Sequence, residues 1–264
     1  MKNTITALAL AVFTAGIAHA QTAPAPVAVA VPSSDISVSG RFSWEAKNVF
    51  RGKERSSTDG LIQSTVTVES AVPGFAGVSA YVSYFSADNF ERTLNIGGRT
   101  DLNGVGTIDF GVSRTSNSNG ALATLPGQGF TRITDSSREL YVGVVQKPGS
   151  FVRDSAFLYY NTDLKQTNLV VAGSKDYEGK NLGIPGFDLE TKAYLGLADS
   201  KNTVSSGGDV ANSYIYLGAS ADVTRAIGTG AKVGLGVNWA YNTDGQTATA
   251  GKTVWLKAYA NFKF

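Results

Sequence analysis

The chain has no cysteine, and only one histidine, one methionine and seven prolines among its 264 residues. Without cysteine no disulfide holds the fold, and no thiolate serves as nucleophile or metal ligand. The one histidine, His19, lies in an N-terminal segment that reads as removable, so the mature chain has no imidazole at all. That excludes Ser-His and Asp-His hydrolytic mechanisms and imidazole metal sites, and predicts no cofactor and no enzyme. An excess of either charge is also lacking: without Lys2 the 23 Lys+Arg become 22, against 21 Asp+Glu. A balance this even leaves no footprint for nucleic acid. Finally, beyond the N-terminus there is no unbroken apolar run of the roughly 18 residues that a helical membrane span needs, the longest uncharged stretch, 70–87, being interrupted by Pro73, Gly74 and Gly77. If the chain enters a membrane, it does so with strands.

What is present begins with an export signal. Met1-Lys2-Asn3 is followed by an apolar run from Ile5 to Ile17 and by Ala18-His19-Ala20 before Gln21. A basic start, a short greasy stretch and a small-residue cleavage site make residues 1–20 a secretory signal peptide. Residues 21–34 are an uncharged Ala/Val/Pro segment, read as an extended periplasmic lead-in. Residues 35–264 form the remaining unit.

That unit alternates. Val254, Leu256, Ala258, Ala260, Phe262 and Phe264 occupy one face of the last segment, and Trp255, Lys257, Tyr259, Asn261 and Lys263 the other. Val233, Leu235, Val237, Trp239 and Tyr241 likewise alternate with Gly234, Gly236, Asn238, Ala240 and Asn242. A period of two is a strand signature, and ten-residue alternating segments with one wholly apolar face mark a transmembrane β-barrel. Cutting at turn clusters gives about twelve strands, at 35–48, 61–71, 78–86, 92–101, 105–115, 138–146, 154–162, 167–177, 187–198, 212–224, 231–242 and 253–264. The predicted fold is therefore all-β, an antiparallel up-and-down barrel. Only the segment Ser155–Tyr160 is apolar on both faces, so its register is ambiguous.

Connections of two kinds mostly alternate. Those at 72–77, 102–104, 147–150 and 227–230 are short and rich in Gly or Pro, whereas those at 51–60, 116–137, 199–211 and 243–252 are longer and polar. Short periplasmic turns and long outer loops with an even strand count fit a bacterial outer-membrane barrel with both termini in the periplasm. The connection near Asp163 is shorter, and that at 178–186 longer, than this scheme expects. Aromatic residues near segment ends, namely Trp44, Phe50, Tyr84, Tyr160, Tyr177, Tyr241, Trp255 and Phe264, are candidates for interfacial girdles. The 116–137 loop either folds inward as a constriction or stands outward, the simpler expectation.

The charged residues fall on the non-lipid face. Arg41, Glu45, Lys47, Glu69, Arg99, Asp101, Asp109, Glu139, Asp188, Glu190, Lys192, Asp222 and Lys257 are the predicted pore-lining set, with Lys263 at the end of the row. A charge facing hydrocarbon costs on the order of 2–4 kcal/mol at mid-depth, and one facing water little, so a wet or ion-paired lumen is expected. Twelve strands lie between a side-chain-filled barrel of about eight and an aqueous channel of about sixteen. The sequence leaves open whether rows of opposite charge line a conducting pore or pair across a narrow bore and close it. Asp188 and Glu190 sit two apart on one strand face, like the acid and base of glycoside hydrolysis. Lumen carboxylates paired with Lys192 are the simpler reading. Asp199 and Asp209 lack the spacing of a calcium loop. Gly97-Gly98 and Gly207-Gly208 precede no helix, so they mark a bulge, a close approach or a flexible loop rather than a phosphate site.

Asn48-Val49-Phe50-Arg51-Gly52, followed by Ser56 and Asp59-Gly60, resembles the element that closes the first strand of TorF-type porins. The likeness extends to chain length, strand rhythm and the terminal aromatic residue. The chain departs from the family pattern before Asn48 and in the loop at 116–137. The resemblance implies an outer-membrane porin passing small hydrophilic solutes or ions, in contact with outer-membrane lipid. It also implies that Phe264 is the signal read by the barrel-assembly machinery. An oligomer fits such a protein, and so does a closed barrel that binds partners through its long loops.

Overall fold

The computed structural model describes residues 36–54, 60–88, 91–102, 105–117, 122–123, 131–132, 136–146, 153–163, 165–200, 212–243 and 251–264. The signal peptide and the lead-in lie outside them. The strands are β1 (Ile36–Glu45), β2 (Val49–Phe50), β3 (Lys53–Glu54), β4 (Leu61–Ala71), β5 (Val78–Ala87), β6 (Glu91–Asp101), β7 (Gly106–Asn117), β8 (Leu122–Ala123), β9 (Thr131–Arg132), β10 (Ser136–Gln146), β11 (Arg153–Asn161), β12 (Gln166–Tyr177), β13 (Asp188–Ser200), β14 (Asn212–Gly228), β15 (Ala231–Asn242) and β16 (Gly251–Lys263). Twelve of them close into an antiparallel barrel, each paired with its neighbour in the chain, and β1 pairs with β16 at the seam. β2 with β3 and β8 with β9 form two small separate hairpins. No described helix is long and apolar enough to cross a membrane.

All twelve barrel strands coincide with the twelve segments cut from the sequence, to within a few residues at each end. The chain makes 9–17 residues per barrel strand, and about 9–11 tilted residues cross a bilayer core. The faces also agree. Ile36, Phe42, Trp44, Ile62, Val68, Val112, Leu197, Leu235, Val254 and Leu256 are exposed on the outside, while Ser43, Glu45, Glu69, Asp109, Asp222 and Lys257 are buried inside. In a water-soluble protein this burial would be inverted. The ambiguous segment settles with Phe157 and Tyr159 inward and Leu158 and Tyr160 outward.

One end of the barrel carries both termini and tight turns; the other carries the longer connections. The turn-side exception is 178–187, where a 3-10 turn, Gly179–Leu182, is tied off by Asp188 Oδ1, which accepts the Gly179 N–H at 3.0 Å. On the loop side, the β11–β12 connection is short because Asp163 accepts three hydrogen bonds from Arg138: from the backbone N–H at 2.8 Å, Nη2 at 2.8 Å and Nε at 3.3 Å. At the seam, Val38 and Phe264 exchange two backbone hydrogen bonds, at 3.1 and 2.8 Å. The last residue is thus stitched into the barrel by its backbone while its ring stays exposed.

Two girdle expectations are corrected. Trp44, Tyr84, Tyr160 and Tyr177 face outward at the barrel ends, but Trp255 is buried inside, its indole N–H donating to Glu45 Oε2 at 2.8 Å. Phe50 belongs to the β2–β3 hairpin rather than to a barrel strand. Trp255 turns inward because it shares the face of Lys257 and Tyr259; aromatic character alone does not choose a side.

A second regularity lies in the glycines. Gly97, Gly111, Gly143, Gly196, Gly218 and Gly234 stand directly across the ladder from Tyr81, Tyr141, Phe157, Tyr216, Tyr194 and Tyr259. A Cβ on any of the six would collide with the opposing ring. Each ring therefore lies along the wall over a glycine instead of standing into the bore, a cross-strand pairing that offsets glycine's poor strand packing. Gly97 is thus a close approach, one of the readings its sequence context left open. Gly196→Val should displace the Tyr216 ring and cost about 1–3 kcal/mol, as overpacking does. Thermal unfolding of the detergent-solubilised barrel checks it, and an unchanged midpoint would contradict the pairing.

Candidate functional site

The lumen is narrowed by residues 46–54, which follow β1. Phe50 pairs with Lys53, so Arg51-Gly52 is a two-residue hairpin turn, and both residues have positive φ, 49° and 75°. That is the turn whose twist suits a hairpin. An arginine in the left-handed region costs roughly 1–2 kcal/mol, so its side chain must gain elsewhere. It does: Arg51 Nη2 lies 2.6 Å from Glu139 Oε1, Nη1 donates to Gln166 Oε1 at 3.0 Å, and the guanidinium lies 4.8 Å from the Phe50 ring centre. The Asn168 amide is 2.7 Å from the Tyr216 hydroxyl and, with its oxygen turned to the arginine, accepts from Arg51 Nε at 3.1 Å. Gly52 presses against Tyr216 and Asn242, where a Cβ would meet Tyr216 Cβ at 2.7 Å, and its carbonyl accepts from Asn242 Nδ2 at 2.7 Å. Val49 and Arg51 are each only 2% exposed. The hairpin thus spans the bore, from β1 to β10, β12, β14 and β15.

Below it, toward the turn side, charge is arranged in two groups. On β4–β7, Arg99 forms ion pairs with Glu69 and, at 3.0 Å, with Asp109. Ser79 donates to Glu69 at 2.5 Å, Tyr81 donates to Asp109 at 2.7 Å, and the Tyr81 and Tyr141 hydroxyls are bonded to each other. The Arg99 guanidinium also lies 4.4 Å from the Tyr81 ring centre. On β13–β16 and β1, Glu190 meets Lys192 at 2.9 Å and Lys232 at 3.8 Å, and Lys257 meets Asp222 at 2.9 Å and donates to Asn238 at 3.0 Å. Arg41 lies 3.9 Å over the Tyr259 ring.

The Lys257–Asp222 contact is ionic but poorly directed. Both Asp222 oxygens, Thr224 Oγ1, Asn238 Nδ2 and the Tyr259 hydroxyl are buried without a hydrogen-bond partner among the described residues. Five polar atoms without a directed hydrogen bond on one stretch of wall is a pattern that water or a polar solute relieves.

Of the predicted set, Arg41, Glu45, Glu69, Arg99, Asp109, Glu139, Glu190, Lys192, Asp222 and Lys257 project into the lumen in these groups. Asp101 ends β6 half-buried near the turn-side mouth, and Asp188 opens β13 at the same mouth, capping its turn. Lys47 lies beyond β1 in the segment that enters the bore. Asp199 accepts from the Ser213 hydroxyl at 2.5 Å; Asp209, Gly207-Gly208 and most of 116–137 lie outside the described residues.

Sequence reasoning missed two features. Arg51 reads from sequence as the start of the polar connection at 51–60, because an Arg-Gly turn lacks the Asn-Gly or Asp-Gly signal. The tyrosine wall of Tyr81, Tyr141, Tyr159, Tyr194, Tyr214 and Tyr216 was overlooked as well. The signal that could have found it is the recurrence of Gly on the inward face one strand away from Tyr81, Tyr141, Tyr194 and Tyr216.

No family model matches the chain, and no curated protein matches it. Among solved structures, it is similar to the NanC porin (8% identity, TM-score 0.49, covering 86% of this chain and 100% of that one). It is also similar to the KdgM porin (9%, 0.46, 86% and 99%) and to OpdL of Pseudomonas aeruginosa (12%, 0.41, 87% and 68%). Likeness at this level adds nothing to the closed barrel that the strand pairing already establishes, and the lumen described above is this chain's own.

Proposed function

We propose that the chain is an outer-membrane porin through which small hydrophilic solutes or ions diffuse passively, with the β2–β3 hairpin forming the constriction. One observation carries this reading: the barrel is apolar outside and charged inside, so hydrocarbon belongs around it and water within. The unpaired polar atoms of Asp222, Thr224, Asn238 and Tyr259 support a wet bore. The element that resembles the TorF-type porins is the one that enters the bore. Phe264, pinned at the seam with its ring exposed, suits recognition by the barrel-assembly machinery.

Planar-bilayer recording of the purified protein is the test: discrete conductance steps are expected, and their absence at every voltage would defeat the proposal. A closed barrel that binds partners through its loops is the second reading, favoured by the hairpin's burial across the bore. It predicts no steps, with binding lost when the loop at 116–137 is trimmed. Lys192→Gln removes the cation that lies 2.9 Å from Glu190 on the lumen wall. Its reversal potential in a salt gradient should move toward cation preference. No movement, with an unchanged unfolding temperature, would remove Lys192 from the ion path.

A further inference from the structure

Outward-facing charge is scarce on a barrel meant for lipid, yet three consecutive barrel strands carry an outward arginine at the same height. Arg92 on β6, Arg114 on β7 and Arg138 on β10 are all exposed and lie at the loop-side ends of their strands. Arg138 stands directly opposite Arg114 in the ladder, and Arg92 is opposite Ser116, two residues along from Arg114. Directly below, toward the middle of the barrel, the same face turns apolar with Leu94, Ile96, Phe110, Val112, Leu140 and Val142. The three guanidiniums therefore mark the boundary between the greasy belt and the loop-side aqueous layer.

Like charges directly opposite each other destabilise a sheet, so this arrangement calls for anions. One is supplied within the chain: Asp163 Oδ1 lies 2.8 Å from Arg138 Nη2, and the Arg138 hydrogen bonds hold its carboxyl below the usual range, so it stays ionised. Arg92 and Arg114 have no such partner among the described residues. The loop between β7 and β10 adds Arg132 and Asp135, with no net charge.

We propose that Arg92 and Arg114, flanked by Arg138, bind the phosphate groups of an anionic lipid in the loop-side leaflet, with its acyl chains on the apolar face below. Planar guanidiniums take phosphate oxygens in pairs, and a lipid alone supplies both the anion and the chains that the belt beneath requires. The inference rests on the membrane reading and is independent of whether the bore conducts.

The full barrel in neutral detergent, titrated with phosphatidic acid and followed by native mass spectrometry, tests it. Phosphatidylcholine and inorganic phosphate serve as the comparison probes. Wild type should hold phosphatidic acid in preference to phosphatidylcholine and should show no retained inorganic phosphate. The double variant Arg92→Gln/Arg114→Gln should lose about tenfold or more in phosphatidic acid affinity, at roughly a kcal/mol per basic side chain near a lipid surface, with phosphatidylcholine unchanged. Arg225→Gln, an outward arginine at the opposite end of the barrel, should bind as wild type. Equal affinity in wild type and double variant would overturn the proposal, as would an equal loss in Arg225→Gln. So would a lipid-free dimer that the double variant abolishes, since the face would then join two copies of the chain. Failure of the membrane reading itself would show differently, as a barrel that stays dispersed without detergent.

Discussion

Replacing Arg51 by alanine is expected to raise the single-channel conductance and make it noisier. The guanidinium is the anchor of the constricting hairpin, held by Glu139, Gln166 and Asn168, and its loss leaves Glu139, 14% exposed, without its cation. Removing one partner of a buried pair costs on the order of 3–5 kcal/mol. At about 1.4 kcal/mol per decade, that lowers the docked-to-undocked ratio by roughly two to three and a half powers of ten. Because the chain has no cysteine, the motion is measurable directly: a Val49→Cys thiol, buried in the docked hairpin, is the only one present. Its reaction with a polar maleimide should be slow in the single variant and fast when Arg51→Ala is added. Unchanged current together with unchanged labelling would show that the hairpin is held by its backbone contacts at Gly52 alone.

The second large effect belongs to Arg99. Arg99→Met keeps the length of the side chain but strands Glu69 on β4 and Asp109 on β7, which are 3% and 1% exposed. The penalty is again about 3–5 kcal/mol, expressed here as global stability because the three residues bridge β4, β6 and β7. The unfolding midpoint in detergent should fall markedly. Adding Asp109→Asn removes one stranded charge and should restore part of the loss, and this non-additivity is what separates an ion-pair effect from a packing effect. Two variants that melt alike would mean that water already solvates this corner of the lumen.

The fold was legible in the sequence because a barrel wall in lipid imposes one rule at every position. Outside must be apolar, so Ile36, Phe42 and Trp44, or Val233, Leu235 and Val237, announce the strand and its register without any knowledge of their partners. The inward face obeys no such uniform rule. There Lys257 finds Asp222 and Arg51 finds Glu139 across pairs of strands far apart in sequence, and local pattern carries no information about such matches. The same asymmetry explains Ser155–Tyr160: its inward Phe157 and Tyr159 belong to an aromatic wall, so both faces read as greasy. It explains the hairpin as well, since two-residue strands have no periodicity to detect, and Arg-Gly gains its turn geometry from what the arginine reaches.

The constricting hairpin has a consequence for assembly. It leaves the chain immediately after the first strand, yet its contacts are on β10, β12, β14 and β15, separated from it by 88 to 190 residues. Those walls exist only once the cylinder is complete, so the early-made segment must wait for the late-made ones, and docking comes after closure. On the porin reading proposed above, a newly inserted barrel therefore passes through a stage with a wider throat than the finished one.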